Sequence, residues 1–173
     1  MFCTAVACRS LLALVFGVSV FSKLRSRHAF AGFVAGARAL LPAPVPAGLP
    51  VLGAAVAAEA AAAVLTVLPW TAPAGLTLSC GLLIVFSWAI AAALRRGAPP
   101  PCPCFGPSAR PVGPVHLVRN GLLAAAAVLG ILATSAQHTA QPAAVLLALA
   151  AGALPAAVVI NLDDIVDLFA TGR

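Results

Sequence analysis

Pro73–Leu94, PAGLTLSCGLLIVFSWAIAAAL, runs without one charged side chain. A bilayer core about 30 Å thick is crossed by roughly 20 apolar residues in helical form, so this stretch reads as a transmembrane helix. Four other segments meet the same test: about Phe2–Ser22, Gly48–Leu68, Val115–Ala136 and Ala143–Leu162. With 62% hydrophobic residues, 8% charged residues and a mean hydropathy of +1.09 over 173 residues, the chain lies outside the range of soluble domains. The expected fold class is all-α, a polytopic transmembrane helical bundle whose solvent is largely membrane lipid.

The breaks between these runs carry the charge. The first holds Lys23, Arg25, Arg27 and Arg38 and the third Arg95, Arg96 and Arg110, whereas the second and fourth hold no Lys or Arg. Cations so placed orient helices, which accounts for a net charge of +6 without nucleic acid as a partner. The charge rule puts the N-terminus outside and both basic loops in the cytoplasm of a multi-pass plasma-membrane protein. Leu11–Phe21 has the apolar content of a signal-peptide core, but Lys23, Arg25 and Arg27 stand between it and Ala29-Phe30-Ala31, the wrong order for cleavage. The run reads as a retained anchor.

Beyond Leu94 stands Pro99-Pro100-Pro101-Cys102-Pro103-Cys104-Phe105-Gly106-Pro107. The prolines favour an extended backbone that cannot continue the helix, and in extended chain residues i and i+2 project to one side. Their Cα separation of roughly 6–7 Å is at the upper edge of disulfide geometry, so a Cys102–Cys104 bond would be strained. Strain raises a disulfide's potential and lets it pass oxidising equivalents to another dithiol. A bond closing so short a loop adds little stability by chain entropy, so the pair reads as a carrier rather than a brace. Zinc is the competing reading, with His28 and His116 expected on the same membrane face, but Cys-x-Cys is shorter than the usual ligand spacing and no metal site is assigned.

Glu59 interrupts an apolar span and needs a partner there. If the first two spans form an antiparallel hairpin, Glu59 faces the level of residue 11, and Arg9 is about 3 Å away along the axis. The sequence therefore predicts an Arg9–Glu59 intramembrane pair, acting as a structural pin or in proton or quinone chemistry, with Lys23 reaching the headgroups by its apolar stem. Cys3, Cys8 and Cys80 lie toward the opposite face and read as small hydrophobes.

Arg9 through Lys23-Leu24, the proline-rich approach to the Glu59 span, Cys102-Pro103-Cys104-Phe105-Gly106 and Arg119-Asn120 opening an apolar helix together resemble the MauE branch of the MauE/DoxX membrane proteins, named for methylamine utilisation. The resemblance runs from about Arg9 to Leu123. It implies a four-helix membrane domain, here residues 1–136 with the Cys-x-Cys loop at 95–114; residues 137–173 then read as an additional transmembrane helix and a short acidic tail. It also implies a role in redox maturation, supporting thiol–disulfide exchange for a partner oxidoreductase alongside a thioredoxin-like protein. Carried over by position, Cys102 and Cys104 are the redox pair, Phe105 and Gly106 shape the loop, and Arg119 and Asn120 support it from the next helix. Pro103 stands where a small residue is common, and the fifth span is extra to the family pattern. No cofactor is firmly predicted, and a quinone is compatible. The reading from a different class is a noncatalytic membrane assembly subunit whose cysteine pair is structural or zinc-bound.

Overall fold

The computed structural model describes residues 1–42, 45, 47–97, 112–134, 141–162 and 165. The described residues form six helices: α1 (Phe2–Leu24), α2 (Arg27–Leu40), α3 (Leu49–Val67), α4 (Ala72–Arg95), α5 (Pro114–Thr134) and α6 (Pro142–Ile160). All but α2 are long and apolar enough to cross a membrane, with bounds within two residues of those expected. The chain is an all-helical, multi-pass membrane protein.

The exposed surface explains the composition. Leu14, Ile84, Leu122, Leu132, Leu147 and Leu154 all point outward, and at most 39% of the residues in any span's most apolar window are buried. A helix apolar on every side needs lipid or protein around its whole circumference. Inside, α1, α3, α4 and α5 close around Leu12, Phe16, Ala62, Leu76, Leu83 and Leu123.

Small residues set the closest approaches, as expected where helix packing draws on van der Waals contact rather than on exclusion of water. At the α3–α4 turn a Cβ on Gly75 would stand 2.5 Å from the Thr66 backbone nitrogen. On the outer side of α1, a Cβ on Gly152 of α6 would run into Ser10 Oγ and the Ala7 carbonyl, and Ser10 Oγ donates to the Leu149 carbonyl at 3.3 Å. The extra span is thus seated tightly on α1.

Helix α2 departs from the sequence expectation, which has only a connection between the first two spans. Its 14 residues are too few to span a bilayer. Ser26 caps it, its Oγ accepting from the Ala29 amide at 3.0 Å. Phe33 and Val34 turn inward onto Leu52 and Val56 of α3, with Phe30, Ala37 and Leu41 packed alongside. At its other end the exposed Arg96 donates to the Ala39 and Leu40 carbonyls at 3.2 and 2.6 Å, satisfying orphan acceptors with a cation at the negative end of the helix dipole.

Candidate functional site

Three side chains meet in the apolar interior between α1 and α3. Lys23 Nζ lies 2.6 Å from Glu59 Oε1 and 2.5 Å from Oε2, and it donates to Ser19 Oγ at 2.9 Å. Ser19 Oγ in turn donates to Glu59 Oε2 at 3.0 Å. Lys23 is 3% exposed and Glu59 1%, so the pair is sealed from solvent. The ammonium also stands 5.0 Å from the centroid of the Phe33 ring on α2, a cation–π contact strengthened by desolvation.

This arrangement corrects the expected Arg9–Glu59 pair and the expected placement of Lys23 among headgroups. Side chains on a helix lean toward its N-terminus. Lys23 therefore leans up α1 to the level of Ser19, one turn away, while Glu59 on antiparallel α3 leans down to meet it. Arg9 leans away from Glu59, toward the far end of the bundle. There its Nε donates to the Thr66 carbonyl at 2.9 Å and a terminal nitrogen to the Val67 carbonyl at 2.6 Å, capping the C-terminus of α3.

Helix α5 completes the cluster. His116, Arg119, Asn120, Leu123 and Ala127 follow helical spacing and are all buried, forming its inward stripe. His116 Nδ1 accepts from the Gly113 amide at 3.2 Å, which fastens the start of the helix. His28, by contrast, is exposed at the start of α2. Among the described residues no group of three His, Cys, Asp or Glu side chains is placed to hold a metal ion.

Ser19, Lys23, Glu59, Arg119 and Asn120 all line one cavity of about 270 Å³, whose remaining walls are apolar. Helix α2 closes its end through Phe33, Ala37 and Leu40. Val51 of α3 and Val85 and Trp88 of α4 also line it, and each is more than 40% exposed on the outer surface of the bundle. The cavity therefore opens sideways between α3 and α4, in the wall that faces lipid. At the other end of the bundle these two helices are in tight contact at Gly75 and Thr66.

Of the residues singled out in the sequence, the structure brings Lys23, Glu59, Arg119 and Asn120 together and leaves Arg9 at the other end of α1. Cys102, Cys104, Phe105 and Gly106 lie outside the described residues. The connection that carries them leaves α4 at Gly97, whose φ of +74° ends the helix, and returns at Val112, which packs on Ile90 in the wall of the cavity. Ser19 and Phe33 were not anticipated. Ser19 was legible as the residue one turn before Lys23 on the same helix face.

The family model described as Methylamine utilisation protein MauE matches residues 1–133. No curated protein and no solved structure matches the chain significantly.

Proposed function

From the premise that the chain belongs to the MauE family of membrane proteins, we propose that it is a membrane thiol–disulfide carrier that supports maturation of a partner oxidoreductase of the methylamine-utilisation type. The sequence Cys102-Pro103-Cys104 carries this reading, since two thiols one residue apart in a proline-rich connection form a strained and readily exchanged disulfide. The anchoring of that connection at Gly97 and Val112, beside the cavity, supports it.

In the exchange a partner thiolate attacks one sulfur of the Cys102–Cys104 disulfide and releases the other as a thiolate. The partner's second thiolate then displaces the loop sulfur, so the partner leaves with a disulfide and the loop is left as a dithiol, two electrons richer. The steps are reversible, and a thioredoxin-like protein is the natural second participant. By the charge rule the N-terminus lies outside and the loop lies on the cytoplasmic side.

Cys102→Ser and Cys104→Ser, made singly in the full chain, test the proposal. One of them should accumulate a mixed disulfide with a partner, seen as a reducible band on a gel, and each should abolish maturation. Full maturation with both variants would overturn the carrier reading and favour a noncatalytic assembly subunit. Alkylation with a membrane-impermeant maleimide, in intact cells and in inverted vesicles, reads the sidedness of the same thiols.

A further inference from the structure

A carrier that oxidises its partner is left reduced and needs an acceptor of two electrons and two protons. The cavity between α3 and α4 has the features to hold one drawn from the bilayer. Its mouth, at Val51, Val85 and Trp88, opens on the lipid-facing surface, so its occupant arrives through the membrane. Its floor carries the donor-bearing side chains Arg119 and Asn120 beside the mutually bonded Ser19, Lys23 and Glu59.

Depth decides the class of occupant. Glu59 lies about ten residues into α3, or about 15 Å from its first turn, near the middle of that span. A phospholipid keeps its phosphate at the interface and cannot bring it to this level, whereas the head of a quinone dissolves in hydrocarbon. Quinone carbonyl oxygens accept hydrogen bonds and bear no net charge, which suits a floor where Lys23 and Glu59 neutralise each other. Phe33 and Trp88 offer aromatic walls for a ring, and the isoprenoid tail would leave through the mouth into lipid.

We propose that this cavity binds the head of a membrane-soluble quinone, entering from the lipid between α3 and α4, with donors at its floor from Arg119 and Asn120. Its role as electron acceptor rests on the thiol–disulfide reading; its binding does not. In the balanced step a dithiol and a quinone give a disulfide and a quinol, both electrons and both protons coming from the two thiols.

Trp88 is a built-in reporter, because Trp70 →Phe removes the other tryptophan of the chain at an exposed turn. The full chain carrying Trp70→Phe, in nanodiscs of saturated phosphatidylcholine, is titrated with a short-chain ubiquinone while Trp88 emission is followed. Saturable quenching is expected. It should weaken about tenfold or more in Asn120→Leu, which removes a floor donor, and in Ala55→Phe, which fills the cavity, with helicity and thermal midpoint reported for each.

Quenching that rises linearly with quinone, or that neither variant changes, overturns the site. So does saturable quenching by a phospholipid brominated along its acyl chains that competes with the quinone, which makes the cavity a lipid seat. Cys102→Ser combined with Cys104→Ser should leave the quenching curve in place and abolish quinone reduction by the pre-reduced protein. Binding without reduction in the unsubstituted loop would refute the thiol reading and leave the site standing; reduction without saturable binding would refute the site alone.

Discussion

Removing the ammonium of Lys23 while keeping the carboxylate of Glu59 should be among the most damaging single changes in the transmembrane core. Lys23→Met preserves length and apolar volume but strips two charge-assisted hydrogen bonds, at 2.6 and 2.5 Å, from a carboxylate that is 1% exposed. Such bonds contribute about 1.5–3 kcal/mol each, and breaking a buried pair from one side costs about 3–5 kcal/mol. We therefore expect a loss of about 3–5 kcal/mol for Lys23→Met. Replacing both members, Lys23→Met with Glu59→Leu, leaves no buried charge and should lie within about 1 kcal/mol of the unsubstituted protein or above it. The coupling across the cycle is then about 3 kcal/mol or more, far above the error of additivity for independent sites. Reversible unfolding in mixed micelles with increasing dodecyl sulfate, followed by circular dichroism, gives all four free energies. Arg9→Met supplies the control, because Arg9 holds the Thr66 and Val67 carbonyls and should combine additively with Glu59→Leu to within about 0.5 kcal/mol. If the double variant falls as far as the sum of its singles, or if Arg9 rather than Lys23 couples to Glu59, the assigned pairing is wrong.

Two further outcomes check the packing that shapes the cavity. Gly75→Ala puts a Cβ 2.5 Å from the Thr66 nitrogen, a backbone atom that cannot rotate aside, and should cost about 1–3 kcal/mol in the same unfolding assay, with looser quinone binding as α3 and α4 shift. Ser26→Ala removes the hydroxyl that accepts from the Ala29 amide and should cost about 1 kcal/mol, seen first as faster amide hydrogen exchange confined to α2.

The five spans were legible because a lipid-facing helix is marked by length and apolarity alone, and neither depends on what the helix packs against. Helix α2 was hidden by that same criterion, since 14 residues cannot cross a bilayer. Its signal was of another kind: a capping Ser26, then Phe30, Phe33, Val34, Ala37 and Leu41 at helical spacing. Glu59 and Lys23 each stood out as charges near apolar sequence, yet their pairing was misread. Matching span ends ignores the stagger of α1 against α3: the Ser19–Glu59 and Arg9–Thr66 bonds put Glu59 at the level of Ser19, eight residues beyond residue 11, and the lean of side chains toward their own N-termini brings Lys23 the rest of the way. The cavity was not legible at all, because it depends on how α1 to α5 pack together beyond the Gly75 contact.

The buried pair and the cavity follow from one arrangement of helices. A lysine near the end of a transmembrane helix ordinarily extends to the interface, where its ammonium stays hydrated. Here α2 lies over that end of the bundle and presents Phe33 to the ammonium, so the path to the interface is closed and the cation faces inward. Once inward, it requires an anion at its own depth, and Glu59 supplies one. A carboxylate and an ammonium joined through Ser19 tie α1 to α3 at this level. Arg119 and Asn120 of α5 line the same cavity as this cluster. On this account α2 is the element on which the site depends. Shortening its apolar face, as in Phe33→Ala, should let Lys23 return toward the interface and should weaken the coupling between Lys23 and Glu59 before it unfolds the bundle.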